Sequence, residues 1–265
     1  MDRSRVMGVL NVTPDSFADG GRFLDSDVAI RHGLGMIEEG ADLLDVGGES
    51  TRPGSEGISA AEEWRRIGTI LETLARKTDA PISVDTRKPE VAEKAIRAGA
   101  SIVNDVSGLR NPAMVRTVAR GRVGVVVMHM LGEPKTMQER PRYDDVVREV
   151  RSYLADRAQA AIEGGVPSES IALDPGIGFG KTLEHNLELL GHLDLLGSLG
   201  HPIVVGASRK SFLAKLGAGE VPDDRLAGSL AVAAFAIFRG AHIVRAHDVR
   251  ETVVAMRVLH RLARR

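Results

Sequence analysis

Two aspartates and an asparagine, Asp85, Asn104 and Asp174, each stand at the end of a short apolar run, and the bases Lys210, Arg245 and His247 follow two later runs. Carboxylates and an amide brought to one place offer acceptors and donors for a flat heterocycle with adjacent amide and amino groups. A guanidinium such as that of Arg245 can stack on such a ring and also reach an anion. The bases suit phosphate groups, with further backbone donors expected from a helix beginning after Ser208. These residue types point to an enzyme for an aromatic heterocycle that bears phosphates. Taken singly, an Asp or Asn after a strand has a simpler role as a helix N-cap, Asp85 and Asp248 included, and His129 alone suits a half-buried packing position. That account fits the whole group poorly, because all eight runs end in polar residues. In order these are Asn11, Asp45 with Glu49, Asp85, Asn104 with Asp105, His129, Asp174, Ser208 with Lys210, and Arg245 with His247 and Asp248.

For those residues to meet, the chain must bring eight run ends together. The runs lie at 6–12, 43–46, 82–84, 102–103, 123–128, 171–173, 203–205 and 243–244. Their mean spacing is roughly 34 residues, about the size of a βαβ unit. They are apolar on successive positions, the pattern of parallel strands covered on both faces. The segments between them have helical periodicity. Trp64, Ile67, Leu71 and Leu74 share a face behind an expected capping box of Ser59 and Glu62. Pro89 suits a first helical turn ahead of Val91, Ala95 and Ala98. Val249, Val253, Met256 and Leu259 form a last amphipathic face, ending in the bases Arg261, Arg264 and Arg265. Alternating strands and helices predict an α/β fold with a parallel sheet. A (β/α)8, or TIM, barrel is preferred to an open doubly wound sheet. In a barrel all the strand ends converge at one mouth, whereas in an open sheet only those near the switch point would meet. No linker or low-complexity stretch divides the chain, so residues 1–265 are read as one domain.

Composition narrows the classes. The 265 residues are 43% hydrophobic and 27% charged, with a formal net charge of −1, which provides no basic field for nucleic acid or an anionic membrane. There is no cysteine, so disulfides, thiolate nucleophiles and cysteine metal sites are excluded. The apolar stretches are too short for a signal segment or a membrane span, and a cytoplasmic enzyme is expected. The string at 175–182 imitates a phosphate-binding loop, but Pro175 occupies the first glycine position and Lys181 the third glycine of the dinucleotide fingerprint. Its glycines instead suit a tight turn with close approach to a ring. The eight histidines include no His-x-His or HExxH pair, so a divalent ion is expected to be Mg2+ held by few protein groups and carried in with phosphate.

Read in order, the strings MGVLNVTPDSF at 7–17, DGG at 19–21, DVGGESTRPG at 45–54, SVDT at 83–86 and NDVSG at 104–108 closely resemble the dihydropteroate synthase family. The resemblance continues through MHM at 128–130, TMQ at 136–138, residues 173–186, GASRKSFL at 206–213 and VRAHDV at 244–249. One departure is Ala18, where the family usually has serine. The resemblance implies a barrel enzyme that joins p-aminobenzoate to a dihydropterin diphosphate and releases pyrophosphate. It also implies that Asp85, Asn104, Asp174 and Lys210 hold the pterin edge, while Val106, Met128 and Phe179 line its slot. Arg245 would stack on the ring and, with Asn11 and His247, hold diphosphate, Asn11 standing near Mg2+. Phe17 and Asp19 would belong to a first mobile loop, with Asp19 stabilising developing positive charge. Thr51, Arg52 and Pro53 would belong to a second loop, and Ser211 with Lys210 to the p-aminobenzoate subsite. Sulfonamide sensitivity and a homodimer are implied as well. Two other readings share the pterin slot: a methyltransferase acting on a corrinoid protein, and a pterin-binding paralogue without catalysis.

Overall fold

A computed structural model describes residues 4–13 and 22–263. Strands and helices alternate along it: β1 (Arg5–Asn11), α1 (Arg22–Glu38), β2 (Leu43–Gly47), α2 (Ala60–Lys77), β3 (Ile82–Asp85), α3 (Pro89–Arg97), β4 (Ile102–Asp105), α4 (Pro112–Gly121) and β5 (Gly124–Met128). They continue as α5 (Val146–Glu163), β6 (Ile171–Asp174), α6 (Leu183–Gly191), α7 (Leu193–Gly197), β7 (Val204–Gly206), α8 (Leu226–Phe238), β8 (Ile243–Ala246) and α9 (Val249–Ala263). The strands pair in parallel in the order β6-β5-β4-β3-β2-β1-β8-β7. A parallel bridge between Leu173 and Ile203 joins β6 to the start of β7. An open sheet would leave these two as separate edges, so the sheet is a (β/α)8 barrel, as the polar residues at the strand ends predict.

Why the runs are continuously apolar is now plain. Successive residues of a strand point to opposite faces. The outward set, including Leu10, Leu44, Val84, Val103, Val127 and Val205, packs with the helices in one large core. Helix α2 contributes Ile67, Ile70, Leu71 and Leu74 to it, each such fully buried side chain being worth about 1.5–3 kcal/mol. The inward set forms a separate plug of Met7, Leu43, Val126 and Val204, with Ile102, Ala172 and Ile243 against it. Two residues further along the same strands, on the same inward face, stand Asp45, Asn104, Met128, Asp174 and Arg245. Beside them β3 places Asp85 in register with Gly47 and Asn104. The barrel thus changes from apolar to polar within one inward layer. The strands extend past the apolar runs to include these residues, because their backbones still pair with the neighbouring strands.

Two local expectations are corrected. Ser59 caps α2 by accepting the Glu62 N–H at 3.2 Å, but the Glu62 carboxylate binds Arg65 and Arg66 at 2.7 and 2.9 Å instead of completing a capping box. Two bases one turn ahead outcompete a single backbone N–H. After Ser208 the chain makes 3-10 turns at Ser211–Leu216 and Pro222–Arg225, and α8 starts only at Leu226. Gly217 and Gly219, both at positive φ, and Pro222 break the segment, so no α-helix N-terminus follows Ser208 directly.

Candidate active site

The mouth is built around Arg245, which reaches across from β8 toward β2 and β3. Its Nε donates to Asp45 Oδ2 at 2.6 Å and its Nη2 to Asp85 Oδ2 at 2.9 Å. Asp45 Oδ2 also accepts Asn104 Nδ2 at 3.0 Å. Asp45 is fully buried, and Asp85, Asn104 and Asp174 are 8%, 5% and 5% exposed. Charges at this depth survive only when paired. Burial first, and the neighbouring Asp45 second, push the Asp85 carboxyl up, and Arg245 opposes them. Asp85 does not cap α3, whose N-cap is Lys88.

On the opposite side the β6 end turns sharply. Gly176, Gly178 and Gly180 all have positive φ, at 67°, 82° and 63°. A Cβ on Gly176 would sit 1.9 Å from the His129 carbonyl oxygen, so no side chain fits there. Four of the turn's carbonyls are taken by side chains, all but that of Lys181 from elsewhere in the chain. Lys210 holds Ile177, Gln138 holds Gly178 at 2.7 Å, Lys181 holds Phe179 at 3.0 Å and Tyr143 holds Gly180 at 2.9 Å. Asp174 accepts the Gly176 N–H at 2.7 Å. Burial raises its carboxyl, with Lys210, the Gly176 N–H and the more distant bases pulling it back. The Lys210 ammonium lies 4.4 Å from the Phe179 ring centroid and is pushed down to about 8 by burial. Phe179 packs on an apolar cluster of Val106, Met128, Met130 and Met137, giving the mouth one greasy wall beside its charged floor.

The remaining predicted residues surround this floor. Asn11 ends β1, and Gly47 lies between its amide oxygen and Asp85. His247 follows β8; its N–H donates to Ser208 Oγ at 3.2 Å and its Nδ1 pairs with the same hydroxyl at 3.1 Å. Burial, then the charge of Arg245, pushes His247 down to about 3, so it is neutral at pH 7. Thr51, Arg52 and Pro53 lie in the β2–α2 loop, Arg52 and Pro53 exposed, and the positive charge of Arg52 is felt at His247. Ser211 is exposed and opens the 3-10 turn that follows Lys210. Phe17 and Asp19 lie outside the described residues.

The sequence places Asp45 and His129 at strand ends, Asp45 without a role and His129 as a half-buried packing residue. Asp45 proves to be the shared acceptor of two site residues. The alternation of inward positions along β2 was the signal that could have found it. His129 Nδ1 meets the buried Lys181 Nζ at 2.9 Å, a contact between residues 52 apart in the chain that no local pattern announces. Burial first pushes His129 to about 2 and Lys181 to about 7.

Fold and mouth together define a barrel protein with a site for a flat, hydrogen-bonding ring and an adjacent anionic group. A family model described as pterin binding enzyme matches residues 7–247. The dihydropteroate synthase of Escherichia coli (strain K12) is 46% identical over 98% of this chain and 92% of its own length. Among solved structures, Xanthomonas albilineans dihydropteroate synthase with 4-aminobenzoic acid superposes with a TM-score of 0.94 at 48% identity, covering 99% of this chain and 94% of that one. The same enzyme in complex with 7,8-dihydropteroate gives 0.91 at 45% identity, with coverage of 99% and 94%. The chain belongs to the dihydropteroate synthase family of pterin-binding enzymes.

Proposed function

We propose that this chain, acting as one catalytic unit over residues 1–265, transfers the pterin-methyl group of 6-hydroxymethyl-7,8-dihydropterin diphosphate to the amine of p-aminobenzoate. The products are 7,8-dihydropteroate and pyrophosphate. The observation that carries this reading is the floor of Asp85, Asn104 and Asp174 with Lys210 and Arg245 above it, in a chain of this family. Asp85, Asn104, Asp174 and Lys210 hold the edge of the pterin, and Val106, Met128 and Phe179 line its face. Arg245 bounds the other face and, with neutral His247 and Asn11, receives the diphosphate. Thr51, Arg52, Pro53 and Ser211 frame the arylamine, and family resemblance assigns Phe17 to the same subsite.

Breaking the C–O bond leaves a pterin methylene cation and a departing diphosphate. Catalysis is then chiefly positioning and electrostatics. Asp19 is assigned the stabilisation of the growing positive charge by family resemblance, and Arg245 and His247 stabilise the growing negative charge. The arylamine is a free nucleophile at neutral pH, so no strong base is required. Among the described residues no group of three or more His, Cys, Asp or Glu side chains is placed to hold a metal ion. The half-buried Asn11 amide at the mouth fits an ion that arrives with the diphosphate and keeps most of its water. Mg2+ held there supplies charge neutralisation for the leaving group.

Phe238 on α8 and Leu262 on α9 are 73% and 65% exposed, which supports a second copy of this chain as a partner, in a homodimer. No described helix is long and apolar enough to cross a membrane, and a cytoplasmic site of action fits a folate-forming enzyme open to sulfonamide competition at the p-aminobenzoate subsite. The deciding assay is pyrophosphate release by the purified protein from the dihydropterin diphosphate and Mg2+, with and without p-aminobenzoate. Release that depends on p-aminobenzoate and yields dihydropteroate is expected. No release from folded protein would discard the synthase reading, and methyl transfer to a corrinoid protein would replace it.

A further inference from the structure

We infer that Arg209 is a positioning residue for Lys210: its backbone is locked in the left-handed conformation, and that turn aims the lysine at the site. The inference rests on the pterin role proposed above for Lys210. Residues 207–210 make a tight turn, closed by the Lys210 N–H on the Ala207 carbonyl at 3.3 Å. Arg209 is the third residue of the turn, with φ at 59°, a position and a sign at which such turns favour glycine. A side chain there is strained, and strain of this kind persists only where the surroundings hold it.

The surroundings hold every polar group of Arg209. Its N–H donates to the Ser229 hydroxyl at 2.9 Å, and its carbonyl accepts Nη1 of the buried Arg225 at 2.9 Å. Its Nε and Nη2 grip both carboxylate oxygens of Asp248, and its Nη1 donates to Asp223 at 2.6 Å. Ser229 lies on α8 and Asp248 leads into α9, so the turn is fixed from two helices. Arg225 is itself fastened to the carbonyls of Gly219 and Glu220. Immediately beyond the turn the Lys210 stem lies over Gly178, where an added Cβ would meet Lys210 Cδ at 3.0 Å. The Lys210 ammonium goes on to the Ile177 carbonyl and the Phe179 ring. Bringing φ of Arg209 to the common right-handed value of about −63° would rotate the following chain by roughly 120° and carry Lys210 off the β6 turn. Arg209 needs no contact with substrate for this; it acts through Lys210.

The test measures equilibrium binding of 6-hydroxymethylpterin, which carries no diphosphate, to the wild-type chain, Arg209→Gly and Arg209→Ala, with thermal unfolding followed for each. Both variants lose the same ion pairs and differ only in the backbone they prefer. Glycine takes positive φ as readily as negative, so Arg209→Gly should bind within about threefold of wild type. Alanine disfavours positive φ, and Arg209→Ala should bind about tenfold more weakly than Arg209→Gly. Equal affinities in the two variants overturn the inference, whether both stay near wild type or both are weak. A difference that shows only in Tm does the same, leaving Arg209 a structural residue. Should Arg209→Ala not fold, Asp248→Ala takes its place, since it keeps the arginine and removes the partner of two of its nitrogens. Its pterin binding should weaken severalfold and return to the Arg209→Gly level once Arg209→Gly is added. Unweakened binding, or a loss that glycine does not recover, refutes the inference. A wild-type chain that does not bind the pterin sinks the proposed function, and this inference with it.

Discussion

Replacing Arg245 by alanine leaves Asp45 and Asp85 buried side by side without the cation that pairs with both at 2.6 and 2.9 Å. Removing one partner of a buried ion pair costs about 3–5 kcal/mol, because the other charge stays uncompensated. With about 2.1 cal/mol/K of unfolding entropy per residue over 265 residues, that loss lowers Tm by roughly 5–9 °C. The loss should depend on pH in a stated direction. Burial and Asp45 already push Asp85 up, and Arg245 is what opposes them; without Arg245 the carboxyl rises further. A carboxyl whose folded value exceeds its unfolded value holds a proton that the unfolded chain gives up. Stability is therefore lost as pH climbs from about 4 through the folded value. Differential scanning calorimetry of Arg245→Ala and wild type at pH 5.5 and pH 8 should give a larger deficit at pH 8. Pyrophosphate release by the variant should fall by at least about a hundredfold, the usual consequence of removing a charge donor from a leaving-group site. Equal Tm values at both pH values, or a larger deficit in acid, would show that the Arg245 pairs are not formed in the free protein.

Two other perturbations address the supports of the mouth. Lys181→Met removes the donor to the Phe179 carbonyl and the partner of His129; the KM for dihydropterin diphosphate should rise about tenfold, with the KM for p-aminobenzoate little changed. Burial holds Lys181 near 7 against an ordinary 10.5, so across that interval the unfolded chain binds the extra proton and wild-type stability increases with pH. Urea titrations at pH 7, 8 and 9 should give a shallower increase for Lys181→Met, Lys210 supplying the remainder; identical slopes would refute the role of its burial. Glu49→Gln loosens the base of the 51–53 loop, because Glu49 Oε1 accepts the Ile58 N–H and the Lys88 ammonium, each at 2.9 Å, while its Oε2 takes Arg87 at 3.3 Å. Burial acts to raise Glu49, but Lys88, the Ile58 N–H and Arg87 outweigh it and keep the carboxyl low. The variant should show faster limited proteolysis within residues 48–59 and a severalfold higher KM for p-aminobenzoate; an unchanged cleavage rate would exclude Glu49 as the anchor.

Much of this molecule was legible before folding was considered. Eight apolar runs spaced for βαβ units predict a parallel α/β sheet, because only strands covered on both faces tolerate apolar residues at every position. A polar residue at each run's end predicts the mouth, since parallel strands of a barrel all end on one side. Asp85, Asn104, Asp174, Lys210 and Arg245 were identified by type, position and resemblance, and the structure gathers them around one floor. Local chemistry also predicted Pro89 at the first turn of α3 and the positive-φ glycines after β6.

Tertiary structure alone decided how those groups are joined. Arg245 and Asp45 are 200 residues apart in the chain, and their pairing exists because the closed sheet sets β8 and β2 on either side of β1. The same closure gives one carboxylate oxygen, Asp45 Oδ2, two donors from two further strands. Lys181 reads as a stray base in a false phosphate loop until the turn after β6 folds its ammonium between His129 and the Phe179 carbonyl. Composition and periodicity record which face of a strand is apolar. They carry no information on which polar atoms will share a partner, because that depends on distances across the barrel, and these exist only once the barrel has closed.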